Sequence, residues 1–263
     1  MSEAYTSFAA VYDTFMDETP YAEWCEYLAE LLNEYGMIQL PEDENLRTEA
    51  NCILDLGCGT GVLTEMLAQK GYDMIGIDNS VEMLELARER KEEAGSDTLY
   101  LLQDMREFAL YGTVGAVISV CDSVNYLLEE EDLLACFKLV NNYLYPKGLF
   151  IFDFNTTYKY EEIIGDTTIA ENREDCSFIW DNYYDPESSI NEYDLTLFVR
   201  DEGSGLYEKF EETHYQKGYT LDCMKQLVEK AGLEFVTAMD ADSHEAVTEE
   251  SQRVYVIARE CGK

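Results

Sequence analysis

Between Asn51 and Asn155 the chain alternates short, continuously apolar runs with segments of helical period. NCILDLG (51–57), YDMIGID (72–78), TLYLLQD (98–104), GAVISVC (115–121) and GLFIFDF (148–154) read as strands. GVLTEMLAQKG (61–71), SVEMLELARERKEEAG (80–95) and residues 129–145 read as helices between them. This βα rhythm predicts a parallel sheet. Strands that are apolar throughout, rather than alternating, imply helices on both faces.

The pattern changes on either side of this block. Tyr5, Phe8, Ala9, Tyr12 and Phe15 recur at helical spacing, and Thr19-Pro20 reads as the cap and first position of a second helix. Its apolar face would be Trp24, Leu28, Leu31 and Tyr35, with Gly36 as its stop and a polar loop following at 41–50. Residues 176–216 read as antiparallel strands joined by Asp185-Pro186 and DEGSG (201–205). Within them Tyr193, Leu195, Leu197 and Val199 alternate with Asp194, Thr196 and Phe198. Thr220 then caps a helix ending at Gly232, and LEFVTAMD and RVYVIARE supply two last strands. The expected domains are 1–164 plus 219–263, with residues 1–40 as a helical lid and 165–218 as an inserted antiparallel β cap.

Composition narrows the functional classes. The 55 acidic and 18 basic residues give a formal net charge of −37. Such a field repels nucleic acid and anionic lipid, and no basic cluster offsets it locally. No apolar run of 18 residues offers a membrane span, and MSEAYTSFAA lacks the basic flank of a signal peptide, so a cytoplasmic protein is expected. The eight cysteines form no CxxC pair and the two histidines lack zinc-ligand spacing, so no metal site is expected. Cys58, at a helix N-terminus, is the one thiol with a route to a depressed pKa, although a small loop filler is the simpler role.

The candidate chemistry sits at the strand ends. ILDLGCGTG places a glycine turn between a strand and a helix, where free backbone N–H groups and missing side chains admit a closely approaching ligand. Val62 stands where the dinucleotide fingerprint GxGxxG/A wants glycine or alanine. The loop instead resembles the D-x-G-x-G-x-G signature of class I S-adenosylmethionine-dependent methyltransferases, here Asp55, Gly57, Gly59 and Gly61. The resemblance implies a Rossmann-like, doubly wound α/β fold with a seven-stranded sheet whose last strand is antiparallel, and S-adenosylmethionine as cofactor. It places Asp55 near the cofactor's amino acid portion and the glycine turn under its sugar.

Asp78, ending the second strand, can accept hydrogen bonds from a ribose diol, or act only as a helix cap. The resemblance sets Met83 against adenine, though an apolar helix residue is ordinarily core. Asp104 could accept from the adenine amino group with the Met105 backbone nearby, and its alternative is again a cap. The fourth strand ends in CDSVNYL (121–127), which in this family faces the transferred methyl, so Asp122, Asn125 and Tyr126 become active-site candidates and Cys121 a cofactor contact. His214, on a cap strand, is a candidate proton acceptor or a structural histidine. Tyr12 could orient the acceptor or the cofactor carboxylate, or pack with Phe8 and Phe15.

The opening YTSFAAVYD and the late cap resemble a bacterial small-molecule subgroup akin to sugar amine N-methyltransferases. A small-molecule acceptor with an amine or hydroxyl is therefore expected, with no nucleic-acid or membrane partner, and the oligomeric state stays open. Two other readings compete: a nucleotide-dependent oxidoreductase, which the glycine spacing disfavours, and a non-catalytic protein that keeps the fold.

Overall fold

The computed structural model describes residues 9–38, 48–201 and 203–263. Tyr5, Phe8, most of the 41–50 loop and Glu202 of the DEGSG turn therefore lie outside the described residues. A seven-stranded sheet carries β1 (Cys52–Leu56), β2 (Asp73–Asp78), β3 (Leu99–Leu102), β4 (Val114–Ser119), β5 (Leu144–Asn155), β10 (Leu233–Asp240) and β11 (Arg253–Glu260). Its order is β10-β11-β5-β4-β1-β2-β3, with β11 antiparallel to both neighbours and the other adjacent pairs parallel. The Rossmann-like expectation holds, including the antiparallel last strand.

Alternate residues of each strand feed opposite faces. Leu54, Leu56, Phe150, Phe152 and Phe154 pack with α5 (Glu130–Tyr143) and α6 (Leu221–Lys230). Ile53, Leu149 and Ile151 pack with α2 (Tyr21–Tyr35) and α3 (Val62–Gln69). Two covered faces explain why these strands read as continuous apolar runs. Against α4 (Val81–Ala94), Leu84 and Ala87 close on Tyr100 of β3.

Local chemistry fixes the helix ends. The Ser80 hydroxyl accepts from the Met83 N–H, and Thr220 accepts from Cys223, so both act as N-caps. Gly95 ends α4 in the left-handed conformation. The second helix departs from expectation at its start. Pro20 is the flanking residue, Tyr21 begins α2, and the Thr19 hydroxyl reaches the Met16 sulfur at 3.7 Å instead of capping.

Four further strands form a separate antiparallel sheet in the order β6-β7-β8-β9. They are β6 (Thr168–Asn172), β7 (Cys176–Asp185), β8 (Ile190–Arg200) and β9 (Tyr207–Lys217). The alternation in β8 is as read, with Tyr193, Leu195 and Leu197 buried. β6, the helical turn Lys159–Ile164 that leads into it and the short turns Glu49–Asn51 and Ser123–Tyr126 have no counterpart in the pattern. β6 is mostly exposed and polar, so it carries no amphipathic signal.

α1 (Ala9–Phe15) joins the two sheets. Its Val11 and Phe15 pack with Phe178, Leu195 and Leu197 of the smaller sheet, Phe15 meeting the Phe178 ring edge-on at 4.7 Å. Its Asp13 turns the other way, accepting from Thr60 Oγ1 at 2.8 Å and from Arg90 Nη2 at 2.7 Å. Arg90 also donates to the Thr60 carbonyl at 2.5 Å. A single carboxylate thus ties α1 to the glycine turn and to α4.

Gly76 of β2 lies under that turn, where a Cβ would stand 2.6 Å from the Tyr100 ring and 2.9 Å from Cys58 Sγ. Gly76→Ala is expected to lower the unfolding free energy by about 1–3 kcal/mol through overpacking. Denaturant unfolding measures it, and an unchanged midpoint would contradict the packing described.

Candidate functional site

The carboxyl ends of β1, β2 and β4 open onto a cavity of about 730 Å³, within the size range of small-molecule sites. Asp55, Gly57, Gly59 and Asp78 line one side, with Met83 and Met105 beside them. Tyr12, Tyr21 and Trp24 from the N-terminal helices and Thr213, His214 and Tyr215 from β9 line the other. Asp104, Cys121 and Tyr126 also face it. Gly61 and Asp122 do not line it, and each serves from behind.

The glycine turn has the shape a close ligand requires. Gly57 is left-handed at φ +84°, and a Cβ there would stand 2.7 Å from Ser123 Cβ, so the turn packs against the end of β4. Gly59, at φ +54°, has no atom within 4 Å of a built Cβ. Its missing side chain leaves open space on the cavity. Gly61, the residue before α3, fits beneath Tyr100 and Ala87. Val62 opens α3 and lines the cavity where a pyrophosphate would meet the helix.

Two carboxylates organise this turn. Asp78 accepts from the Gly59 N–H through Oδ2 and from the Ser80 N–H through Oδ1, each at 2.9 Å. The cap of α4 is Ser80, so Asp78 is not merely a helix cap. Burial raises its carboxyl above the usual range, and the backbone donors oppose that rise. Asp55 is buried and accepts from Thr64 Oγ1 at 2.6 Å. Burial pushes its carboxyl up to about 7, against the lowering effect of Thr64.

Asp104 is held differently from the expectation. The Arg106 side chain donates to both its oxygens, and the Arg106 N–H adds a bond at 2.8 Å, so the turn-capping role is occupied. The guanidinium holds this carboxyl below the usual range. Arg106 also reaches Asp132 at 3.3 Å. Met83 is buried with its N–H on Ser80, and Met105 packs on the main core, so both combine core and cavity roles.

The turn after β4 is built on Asp153. Its two carboxylate oxygens accept from the Cys121 and Asp122 N–H groups at 3.1 and 2.9 Å. Those residues take φ of +64° and +54°, rare for side chains of their kind. Cys121 Sγ lies 3.9 Å from the Tyr12 hydroxyl, and burial pushes its thiol up to about 12. Cys58, first buried and then flanked by Asp55 and Asp78, is also raised, so neither thiol is activated and the loop-filler reading of Cys58 stands. Asp122 Oδ2 accepts from Gln216 at 2.5 Å, which links the turn to β9. Asn125 donates to the Asn155 and Lys217 carbonyls, a structural clasp and not a cavity group.

Tyr126 and His214 do come together. The Tyr126 hydroxyl lies 3.4 Å from His214 Nδ1 and 2.8 Å from the Tyr193 hydroxyl, and the Tyr193 and His214 rings are stacked. His214 Nε2 lies 3.2 Å from Glu212, with both side chains nearly fully buried. Glu212 and Gln216 were missed in the sequence reading. The signal was available in EETHYQ, where Glu212, His214 and Gln216 alternate onto the buried face of β9. No group of three metal-ligating side chains occurs among the described residues.

The donor set suits a nucleoside bearing positive charge. Asp55 and Asp78 offer acceptors for an ammonium and a diol, whereas Val62 and this run of acids oppose a pyrophosphate.

Residues 53–148 match the family described as "Methyltransferase domain". A protein of Geobacillus sp. (strain WCH70), named "Putative methyltransferase GWCH70_2453", is 35% identical over 97% of this chain and 99% of its own length. An S-adenosylmethionine-dependent methyltransferase from Clostridium acetobutylicum ATCC 824 superposes with a TM-score of 0.83 at 27% identity, covering 98% of this chain and 99% of that one. A Streptomyces venezuelae dTDP-3-amino-3,4,6-trideoxy-alpha-D-glucopyranose N,N-dimethyltransferase is 37% identical over 39% of this chain and 42% of its own. With the glycine turn, the two strand-end carboxylates and these relatives in agreement, the chain belongs to the class I S-adenosylmethionine-dependent methyltransferases.

Proposed function

We propose that this methyltransferase acts on a small metabolite and methylates an amine or a hydroxyl. The carrying observation is that one cavity runs from the glycine turn to the Tyr126–His214 pair, beneath α1, α2 and β9. Those elements leave room for a compact acceptor and none for a duplex. The Streptomyces venezuelae relative, whose name specifies an amino sugar nucleotide, supports an amine. The formal charge of −37 weighs against polyanionic acceptors. In this reading residues 165–218 serve as the acceptor's cap and residues 1–40 as a lid.

S-adenosylmethionine supplies an electrophilic methyl on a sulfonium, which an acceptor takes by in-line displacement. The chain's task is alignment and exclusion of water. Asp55 would hold the ammonium of the amino acid portion and Asp78 the ribose hydroxyls. The Gly59 backbone, already turned by Asp78, admits the sugar. Met83 and Met105 flank the base, with Asp104 and its Arg106 partner at that end. Tyr12 and Cys121 stand at the methyl-bearing end. Tyr126 and His214 face the acceptor and receive its proton, and Asp122 acts from behind by holding Gln216.

Three outcomes test this reading. Calorimetry should show S-adenosylmethionine and its demethylated product binding more tightly than NAD. Asp78→Ala should weaken that binding by about 1.5–3 kcal/mol, through the lost charged acceptor. Methyl label from the cofactor should enter a low-molecular-weight metabolite fraction. Label found only in nucleic acid or protein would overturn the acceptor class.

The raised carboxyls give a pH signature. Asp55 (about 7) and Asp153 (about 6) bind protons more tightly folded than unfolded, so they make the free protein more stable as pH falls from 8 towards 5. Asp104, shifted down, loses its stabilising contribution only at more acid pH. Chemical denaturation across pH should therefore show a maximum on the acid side of neutral. An ammonium docking on Asp55 would drive off its proton. Titration at pH 6.5 in buffers of different ionisation enthalpy should then reveal proton release, and Asp55→Asn should abolish it.

A further inference from the structure

We infer that Glu212 is a positioning residue that fixes the tautomer of His214, so that Tyr126, His214 and Glu212 act as one proton relay for the acceptor. The inference rests on the acceptor site proposed above, and extends it to a residue behind the cavity wall.

The geometry of the imidazole is nearly over-determined. Nε2 faces the Glu212 carboxylate at 3.2 Å, and Nδ1 faces the Tyr126 hydroxyl at 3.4 Å. With Glu212 ionised its carboxylate only accepts, so the Nε2 side carries the hydrogen and Nδ1 is left with its lone pair towards Tyr126. Tyr193, stacked on the ring with centroids 5.2 Å apart, also has its hydroxyl 2.8 Å from that of Tyr126. Among the described residues, the groups facing His214 include Glu212 from its own strand, Tyr193 from β8 and Tyr126 from the turn after β4. One step further along β9, Gln216 holds Asp122 of the turn after β4.

Glu212 lies buried on the inner face of a cap strand. A carboxylate whose side chain is 4% exposed needs charged or strongly polar partners. Leucines occupy the equivalent inward positions on β8, Leu195 directly opposite Glu212 and Leu197 beyond it. An acid at this position, directly against Nε2, gives the imidazole a fixed orientation.

The step balances as follows. An acceptor amine arriving as ammonium breaks an N–H bond and gives its proton to Tyr126 Oη, as the Tyr126 proton passes to His214 Nδ1. The imidazolium so formed is stabilised by Glu212 at Nε2. The freed nitrogen lone pair forms the new N–C bond as the C–S bond breaks and its electron pair returns to sulfur. The proton leaves His214 to water when the products depart. The 3.4 Å Tyr126–His214 separation is long for such a transfer, and a bound acceptor is the element that would shorten it.

The chain's histidine content makes a direct test simple, because His244 is the only other one. His244 is exposed, stacks on Tyr27 and has φ +59°, which asparagine tolerates, so His244→Asn leaves a single imidazole to observe. In that background, long-range proton–nitrogen spectra of ¹⁵N-histidine-labelled protein should show the Nε2–H tautomer near pH 8. Glu212→Gln, whose amide can donate to Nε2 as well as accept from it, should bring the Nδ1–H tautomer up beside Nε2–H. Glu212→Asp should keep the Nε2–H tautomer. An Nδ1–H tautomer in the parent, or an unchanged tautomer in a folded Glu212→Gln protein, overturns the relay. If that variant does not fold, the tautomer in the parent decides alone. Calorimetry with S-adenosylmethionine keeps the two claims apart: normal cofactor binding with the wrong tautomer sinks the relay, and absent cofactor binding sinks the function.

Discussion

The arrangement of the whole acceptor side depends on the buried carboxylate of Asp153. Two successive non-glycine residues after β4 take left-handed backbone conformations, which would be unfavourable by themselves. Charge-assisted hydrogen bonds from both their N–H groups to one carboxylate offset that strain. Arg253, with its Nε 3.6 Å from Asp153 and its guanidinium over the Trp24 ring, supplies counter-charge from β11. The turn so fixed presents Asp122 to Gln216 and Asn125 to the end of β9. The phase of β9, and with it the inward direction of Glu212 and His214, is thereby coupled to the central sheet.

The acid excess has a different meaning at the surface and in the site. Around the cavity the cations are already engaged by acids: Arg106 by Asp104 and Asp132, Arg90 by Asp13. Asp55 and Asp78, by contrast, have only neutral donors among the described residues. Their field favours a sulfonium and an ammonium over a pyrophosphate, which agrees with the glycine spacing.

The sheet was legible because its strands are apolar on both faces and its helices carry sharp caps such as Ser80 and Thr220. That Asp55, Gly59 and Asp78 share one cavity was legible because they lie in short contiguous segments at strand ends. The acceptor side was harder. Asp122 was named for facing the methyl, yet its carboxylate bonds Gln216, 94 residues away. Asp104 reads as an adenine acceptor or a cap, and the Arg106 N–H does bond it, but the Arg106 side chain on both its oxygens carries no signal in the pattern. Glu212 and Gln216 were passed over because a half-buried strand is read for apolar alternation, while here the inward stripe of β9 is polar. Asp13 was hidden in a helix whose other residues explain themselves as packing.

Asp13 also bears on how the chain acquires its structure. A helix of seven residues is too short to persist alone in water. α1 is held by groups 47 and 77 residues further on, and the segment just after it by Arg173, 156 residues from Asp17. Those partners exist in the right places only once β1, β2, α4 and the smaller sheet have formed. α1 must therefore dock late in folding, and its arrival certifies that the glycine turn and the antiparallel sheet have both been built.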